Sequence, residues 1–301
     1  MAIGLLLIGL AAMSWGTTGA TMAVLGHETA IGPLAVGWAR LAVAAPCLVL
    51  AAAAVEVVRR RRPLPPPAPR LPSLAGGALL GLAMAAYQVC YFRAVTLTGV
   101  SVAALLAICS APIMIALLAT LWLGERLSPI VLVSLAMAVG GTGLLVVGPR
   151  GLGEISGRFG AGVALALGAG LSYAVYAVAT KRVLARAAPL AVAAVTFSLG
   201  ALFLSPALLI EPPAGVDLER AAPLLLYLGL GPTAAAYGLY TAGLRRVPAT
   251  AAGIASLVEP LTASVLGVAV FHEEMGSLGF AGAALLVGAL ALLAVARPPT
   301  G

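Results

Sequence analysis

Two charges stand inside apolar sequence: Arg40 in "VGWARLAVAA" (36–45) and Glu259 in "SLVEPLTAS" (256–264). A guanidinium fork takes a carboxylate through two parallel hydrogen bonds. A carboxylate takes an ammonium group or carries a proton. Each charge needs a partner, because an unpaired one in hydrocarbon costs at least ~3 kcal/mol on insertion scales. Three roles are open for Arg40. It binds a substrate carboxylate, it ties helices together through backbone carbonyls or Glu259, or it reaches the outer interface. Glu259 precedes Pro260, and a proline leaves the carbonyl four residues back without its donor. A carboxylate at such a weak point can move a proton across the membrane. The plainer alternative is a lock onto Arg40 or a tyrosine. Both residues, with Pro260, are therefore candidates for coupling and gating.

A second group repeats at helical spacing. Met84, Tyr87, Gln88 and Tyr91 form one face; Thr233, Tyr237, Tyr240 and Thr241 form another. Tyr173, Tyr176 and Thr180 form a third, and Ser14, Thr18 and Thr21 a fourth, beside Trp15 and Thr17. The predicted substrate-binding set is Trp15, Thr18, Arg40, Tyr87, Gln88, Tyr173, Tyr176, Tyr237 and Glu259. Structural roles compete: Ser and Thr bond between membrane helices, and Tyr91 and Tyr240 fall near segment ends, where aromatic belts lie. Gly77 and Gly81 read as a close-packing GxxxG.

No set for catalysis or metal binding accompanies these residues. His27 and His272 stand alone in loops, and Cys47, Cys90 and Cys109 lie inside apolar runs. Neither GxSxG nor GxxxxGK[ST] occurs. The expectation is a non-enzyme without metal or cofactor.

The positioning elements are membrane helices. Hydrophobic residues make up 62% and charged residues 9%, against about a quarter charged in soluble domains; mean hydropathy is +1.11. Spans of about 20 apolar residues are predicted ten times: 3–25, 32–55, 73–92, 99–122, 129–147, 159–180, 189–210, 221–243, 248–270 and 276–296. The net charge of +7 sits in short loops, forms no continuous basic face and excludes nucleic acid as a partner. With the N-terminus in the cytoplasm, twelve Lys and Arg fall in cytoplasmic loops and three, Arg150, Arg158 and Arg220, in outer ones. The positive-inside rule then predicts a multi-pass protein of the cell (inner or plasma) membrane with both termini cytoplasmic. Arg93, Lys181, Arg245 and Arg246 lie close enough to span ends to snorkel. The expected partners are the lipid bilayer, a small-molecule substrate and protons as the coupling ion, for a monomer or homodimer.

The chain also resembles itself. Residues 93–128 align with 241–276 without a gap at an offset of 148: Ala94 on Ala242, Pro112 on Pro260, Glu125 on Glu273. More weakly, "SWGTTGAT" (14–21) resembles "SYAVYAVA" (172–179). The expected fold is all-α and integral to the membrane, with ten transmembrane helices in two repeats, 1–147 and 159–301, joined by a linker at 148–158. Five spans per half is odd, so the second repeat enters from the other side and is inverted. Loop charges agree: cytoplasmic "GERLS" becomes outer "HEEMG". Inverted repeats mark secondary transporters with a midplane site. Glu125 and Glu273, at matching span ends, suggest a gate or helix-end role without substrate contact.

"SWG" in the first span, Pro33 with Arg40 in the second, Pro112 followed by "GERLS", and "LVEPL…HEE" resemble the EamA family of the drug/metabolite transporter superfamily. The resemblance covers nearly the whole chain. It implies ten helices, cytoplasmic termini and alternating-access export or exchange of small metabolites such as amino acids. Uncoupled exchange and drug efflux are the alternatives. His272 replaces the usual glycine of that turn, so a different turn is expected there.

Overall fold

The computed structural model describes residues 1–29, 31–61, 71–147, 158–213, 218–272 and 276–295. Among them nine helices are long and apolar enough to cross a membrane: Ala2–Gly26, Pro33–Arg60, Leu74–Thr98, Val102–Leu123, Phe159–Val183, Pro189–Ile210, Glu219–Leu244, Ala249–Val270 and Ser277–Val295. A shorter apolar helix, Pro129–Leu145, follows the fourth. Numbered in chain order with it included, these are spans 1 to 10, and every predicted span is helical. Span 3 runs to Thr98, past its predicted end at 92, so Arg93 lies within the helix. The local starts follow from sequence. Ser73 opens span 3, its hydroxyl accepting the Gly76 N–H at 3.1 Å. Spans 2 and 7 open on Pro33 and Pro189, where a missing N–H costs nothing.

Leu50, Leu121, Leu209 and Phe280 are more than half exposed, while alanine and glycine dominate the interior. Water would not tolerate that outer surface, but lipid does. Small residues inside let helices approach closely without a hydrophobic driving force between them.

The packing has the predicted two-fold pattern. Span 3 packs on span 6 as span 8 packs on span 1; span 4 meets span 6 as span 9 meets span 1. Span 3 meets span 7 as span 8 meets span 2. Spans 2 and 7, 4 and 9, and 5 and 10 pair with their own counterparts. The symmetry reaches single residues. Gly81 lies against Leu199 and Gly200 of span 7, and Gly229, its mate at the 148 offset, against Val43 and the Arg40 carbonyl of span 2. Gly77 also faces span 7, at Val195, which bears out the close-packing reading of this GxxxG.

The halves differ at their matched prolines. Pro112 lies inside one continuous helix, Val100–Leu123. Span 9 is interrupted between Ala255 and Val258, just before Pro260. Leu257 and Glu259 there donate to carbonyls only three residues back, which tightens the turn. Its first half packs on span 4, its second on spans 1 and 5.

At the end where spans 4 and 9 meet, Glu125 bridges them. Its carboxylate accepts the Ala249 N–H at 2.5 Å, the Thr250 N–H at 3.1 Å and the Thr250 hydroxyl at 2.9 Å. This is a helix-end role, as expected from its position; Glu273 lies outside the described residues. Beside it, Lys181 does not snorkel. Its ammonium donates to the carbonyls of Leu244 at 2.8 Å, Val247 at 2.7 Å and Arg245 at 3.4 Å. Three donors meet the free carbonyls at the end of span 8, a better partner than a distant headgroup. Glu125→Ala is expected to lower stability by about 2 kcal/mol, since it leaves first-turn N–H groups without an acceptor. Thermal unfolding in detergent reads this, and Glu125→Gln is expected to fall between the two.

The turn at His272 is not different. Its φ of 54° and ψ of 31° reproduce the left-handed cap of Gly124 (φ 68°, ψ 24°), its mate at the 148 offset. The helix end imposes the conformation and the histidine adopts it under strain. His272→Gly is expected to raise the unfolding temperature, by a gain of about 1 kcal/mol. No gain would mean that the imidazole compensates.

Candidate functional site

The rings predicted to line a site come together. Trp15 of span 1 lies 4.9 Å from Tyr237 and 6.4 Å from Tyr173, centroid to centroid. Tyr173 of span 6 lies 6.0 Å from Tyr87 of span 3 and 6.1 Å from Tyr176. Tyr176 and Tyr237 are 5.9 Å apart. Four helices from both halves thus contribute to one aromatic cluster, at separations where ring quadrupoles attract.

Exposure grades along the cluster. Tyr176, Tyr237 and Trp15 are buried, whereas Tyr87, Tyr91 and Tyr173 are half-buried. The sealed rings lie toward the end closed by Glu125 and Lys181. Tyr240 belongs with them: it is fully buried and 5.3 Å from Trp15. The interfacial-belt alternative therefore fails for Tyr240. Its spacing put it on one face with Tyr237, and only its position near the end of span 8 kept it out of the predicted binding set. Phe197 of span 7, 4.6 Å from Tyr237, sat in an apolar run with nothing to mark it. Ser256 was also missed; its hydroxyl is 3.5 Å from that of Tyr173, beside the break in span 9.

Arg40 and Glu259 are half-buried, and their charges act on Tyr87, Tyr91 and Tyr237 alike. They do not form an ion pair, so the predicted lock between them is not made. Two bridges near the end of span 2, Glu56 to Arg59 and to Arg60, are the ion pairs found among the described residues. Arg40 instead donates through Nε to the Thr233 hydroxyl at 3.3 Å. Its terminal nitrogens have no hydrogen-bond partner among the described residues, nor has the Glu259 carboxylate. Pro260 is buried, and the Glu259 carbonyl lies against Gly16 of span 1.

Two predicted residues stand apart from the rings. Gln88 is buried with its side-chain oxygen facing Gly37 of span 2, between helices. Thr18 is half-buried, and its hydroxyl finds no partner among the described residues. The Trp15 indole N–H is likewise buried without a partner, a donor that a ligand can use. A separate apolar groove of about 250 Å³, between spans 2, 3 and 7, is lined by Leu34, Val89 and Phe203 with Arg93 at its edge; it holds none of the residues above. Among the described residues no cluster of His, Cys, Asp or Glu could hold a metal.

A cation and an anion that border one aromatic cluster and do not pair with each other can together take a zwitterion. The comparisons with known proteins agree with a transporter. The model of the EamA-like transporter family matches residues 2–147 and 160–295. A protein of Bacillus subtilis (strain 168), "Uncharacterized transporter YwfM", is 36% identical over 298 residues, covering 98% of this chain and 94% of that one. A solved crystal structure at 22% identity superposes with a TM-score of 0.81 over 97% of this chain and 96% of that chain, a likeness of fold. Both the fold and the sequence match span the two halves, and the chain belongs to the EamA-like transporter family.

Proposed function

We propose that this transporter exports small zwitterionic metabolites, amino acids and related compounds, across the inner membrane by alternating access. The observation that carries the reading is that Arg40 and Glu259 border the same ring cluster without forming an ion pair with each other. Arg40 takes the substrate carboxylate, Glu259 its ammonium group, and the ring cluster an apolar side chain. Both termini lie in the cytoplasm, as the loop charges require. Export is coupled to proton entry through Glu259, the one acidic side chain in the middle of a span among the described residues.

Purified protein in proteoliposomes, assayed with labelled L-amino acids and with their methyl esters and N-acetyl derivatives, tests this. Flux is expected for free amino acids and not for either blocked form, since each removes one charge. Equal flux of all three sinks the zwitterion reading. Coupling is tested separately: an imposed pH gradient is expected to drive flux in wild type and not in Glu259→Gln. A gradient response that survives the substitution removes Glu259 as the proton carrier. The rings favour one second reading, a permease for apolar cationic drugs; it requires efflux of such compounds that depends on Tyr87 and Tyr173 but not on Arg40.

A further inference from the structure

Span 8 is α-helical on both sides of a six-residue π-helical turn, Leu230–Ala235. Pro232 supplies the reason. It has no N–H, so the Leu228 carbonyl four residues back loses its normal donor. Thr233 fills that place, its hydroxyl donating to the Leu228 carbonyl at 2.7 Å. The same oxygen accepts from Arg40 Nε at 3.3 Å. Such turns concentrate at functional sites because they re-aim side chains. Span 2 is pressed directly onto this region: Gly229, one turn earlier, lies against Val43 and the Arg40 carbonyl.

The arrangement is built only once. At the 148 offset Pro232 falls on Met84 and Thr233 on Ala85, inside the uninterrupted helix Leu74–Thr98. The other half thus has neither the turn nor the hydroxyl. The scaffold is symmetric, and this departure from symmetry sits beside the deep cation.

Opposite charges in a low-dielectric interior attract strongly. Arg40 and Glu259 border one ring pair: Arg40 bonds Thr233, one turn before Tyr237, whose ring is 4.9 Å from Trp15, and Gly16 beside Trp15 lies against the Glu259 carbonyl. Yet among the described residues no ion pair joins the two charges. The Thr233 bond is the guanidinium's one hydrogen bond to the described residues. We propose that Thr233 is a positioning residue: it tethers Arg40 by Nε, keeps the guanidinium off Glu259, and leaves both terminal nitrogens free for an acidic group of the substrate. The tether is a feature of the protein alone; its use in transport rests on the zwitterion reading above.

Phenylglyoxal, which condenses with the terminal nitrogens of arginine, reads the tether without transport. Full-length protein in nanodiscs is labelled, and the Arg40 peptide is quantified by mass spectrometry. Wild type and Thr233→Ser are expected to label at the same rate. In Thr233→Val the freed guanidinium falls onto Glu259, and Arg40 labelling drops about tenfold, the worth of a close charge pair of ~1.5 kcal/mol. Thr233→Val combined with Glu259→Gln is expected to label like wild type again, which a merely disordered turn would not do. Wild-type labelling in Thr233→Val, or a drop that the Glu259→Gln change does not reverse, overturns the proposal. Labelling that follows the expected pattern while no amino acid is transported leaves the tether standing and removes only the zwitterion reading.

Discussion

Arg40→Ala is expected to lower kcat/KM for amino-acid efflux by at least ~10-fold, and up to ~100-fold, the worth of a charge-assisted hydrogen bond at a substrate carboxylate. Folding is expected to be nearly unaffected, which separates binding from a structural role. The side chain makes one hydrogen bond to the described residues, to Thr233. When it is removed, the Thr233 hydroxyl still donates to the Leu228 carbonyl at 2.7 Å, so no buried donor is orphaned. Arg40→Lys is expected to recover part of the flux, because a point charge replaces the planar fork but cannot bind a carboxylate bidentately. The measurements are initial efflux rates in proteoliposomes at matched protein content and unfolding temperature in detergent. A large fall in unfolding temperature with unchanged flux of the protein that remains folded would make Arg40 a structural tie instead.

The largest loss of stability is expected from Gly282→Ala in span 10. A Cβ at Gly282 would sit 2.5 Å from the Gly141 carbonyl oxygen and 2.7 Å from the Leu145 nitrogen of span 5. In return, a Cβ at Gly141 would sit 2.7 Å from the Gly282 oxygen. These neighbours are backbone atoms and cannot turn aside, so the two helices must separate. Overpacking of this kind costs about 1–3 kcal/mol, with more for a larger side chain. Gly9→Ala is the control. Nothing lies within 4 Å of its Cβ position, and alanine there is expected to leave stability unchanged or raise it by up to ~1 kcal/mol through helix propensity. Equal unfolding temperatures for Gly282→Ala and Gly9→Ala would show that the span 5 and span 10 contact is looser than its geometry.

Much of the site was legible because membrane helices are written locally. Apolar length gives spans, and period 3.6 gives faces. Tyr87, Tyr173, Tyr176 and Tyr237 were picked out by spacing and Trp15 as a neighbour of the span 1 hydroxyl face, and their rings meet. Tyr240 was placed on the span 8 face but left out of the binding set for lying near a span end, and Phe197, in an apolar run, was missed. Lys181 shows the same limit: its distance from the span end suggested a headgroup, and its carbonyl partners come from a segment more than sixty residues away.

By itself the sequence determined the class of the protein, its ten helical runs, its internal repeat and its two deep charges. Hydropathy, charge and a fixed offset are properties of the chain read in one dimension. The tertiary structure alone decided what those charges do to each other. Arg40 bonds to Thr233 of span 8 and forms no ion pair with Glu259 of span 9. That bond goes with Gly229 pressed against span 2 and with the π-helical turn at Pro232. Pro112, matched to Pro260, leaves span 4 unbroken, so a proline in the sequence does not dictate a break; the packing around it does.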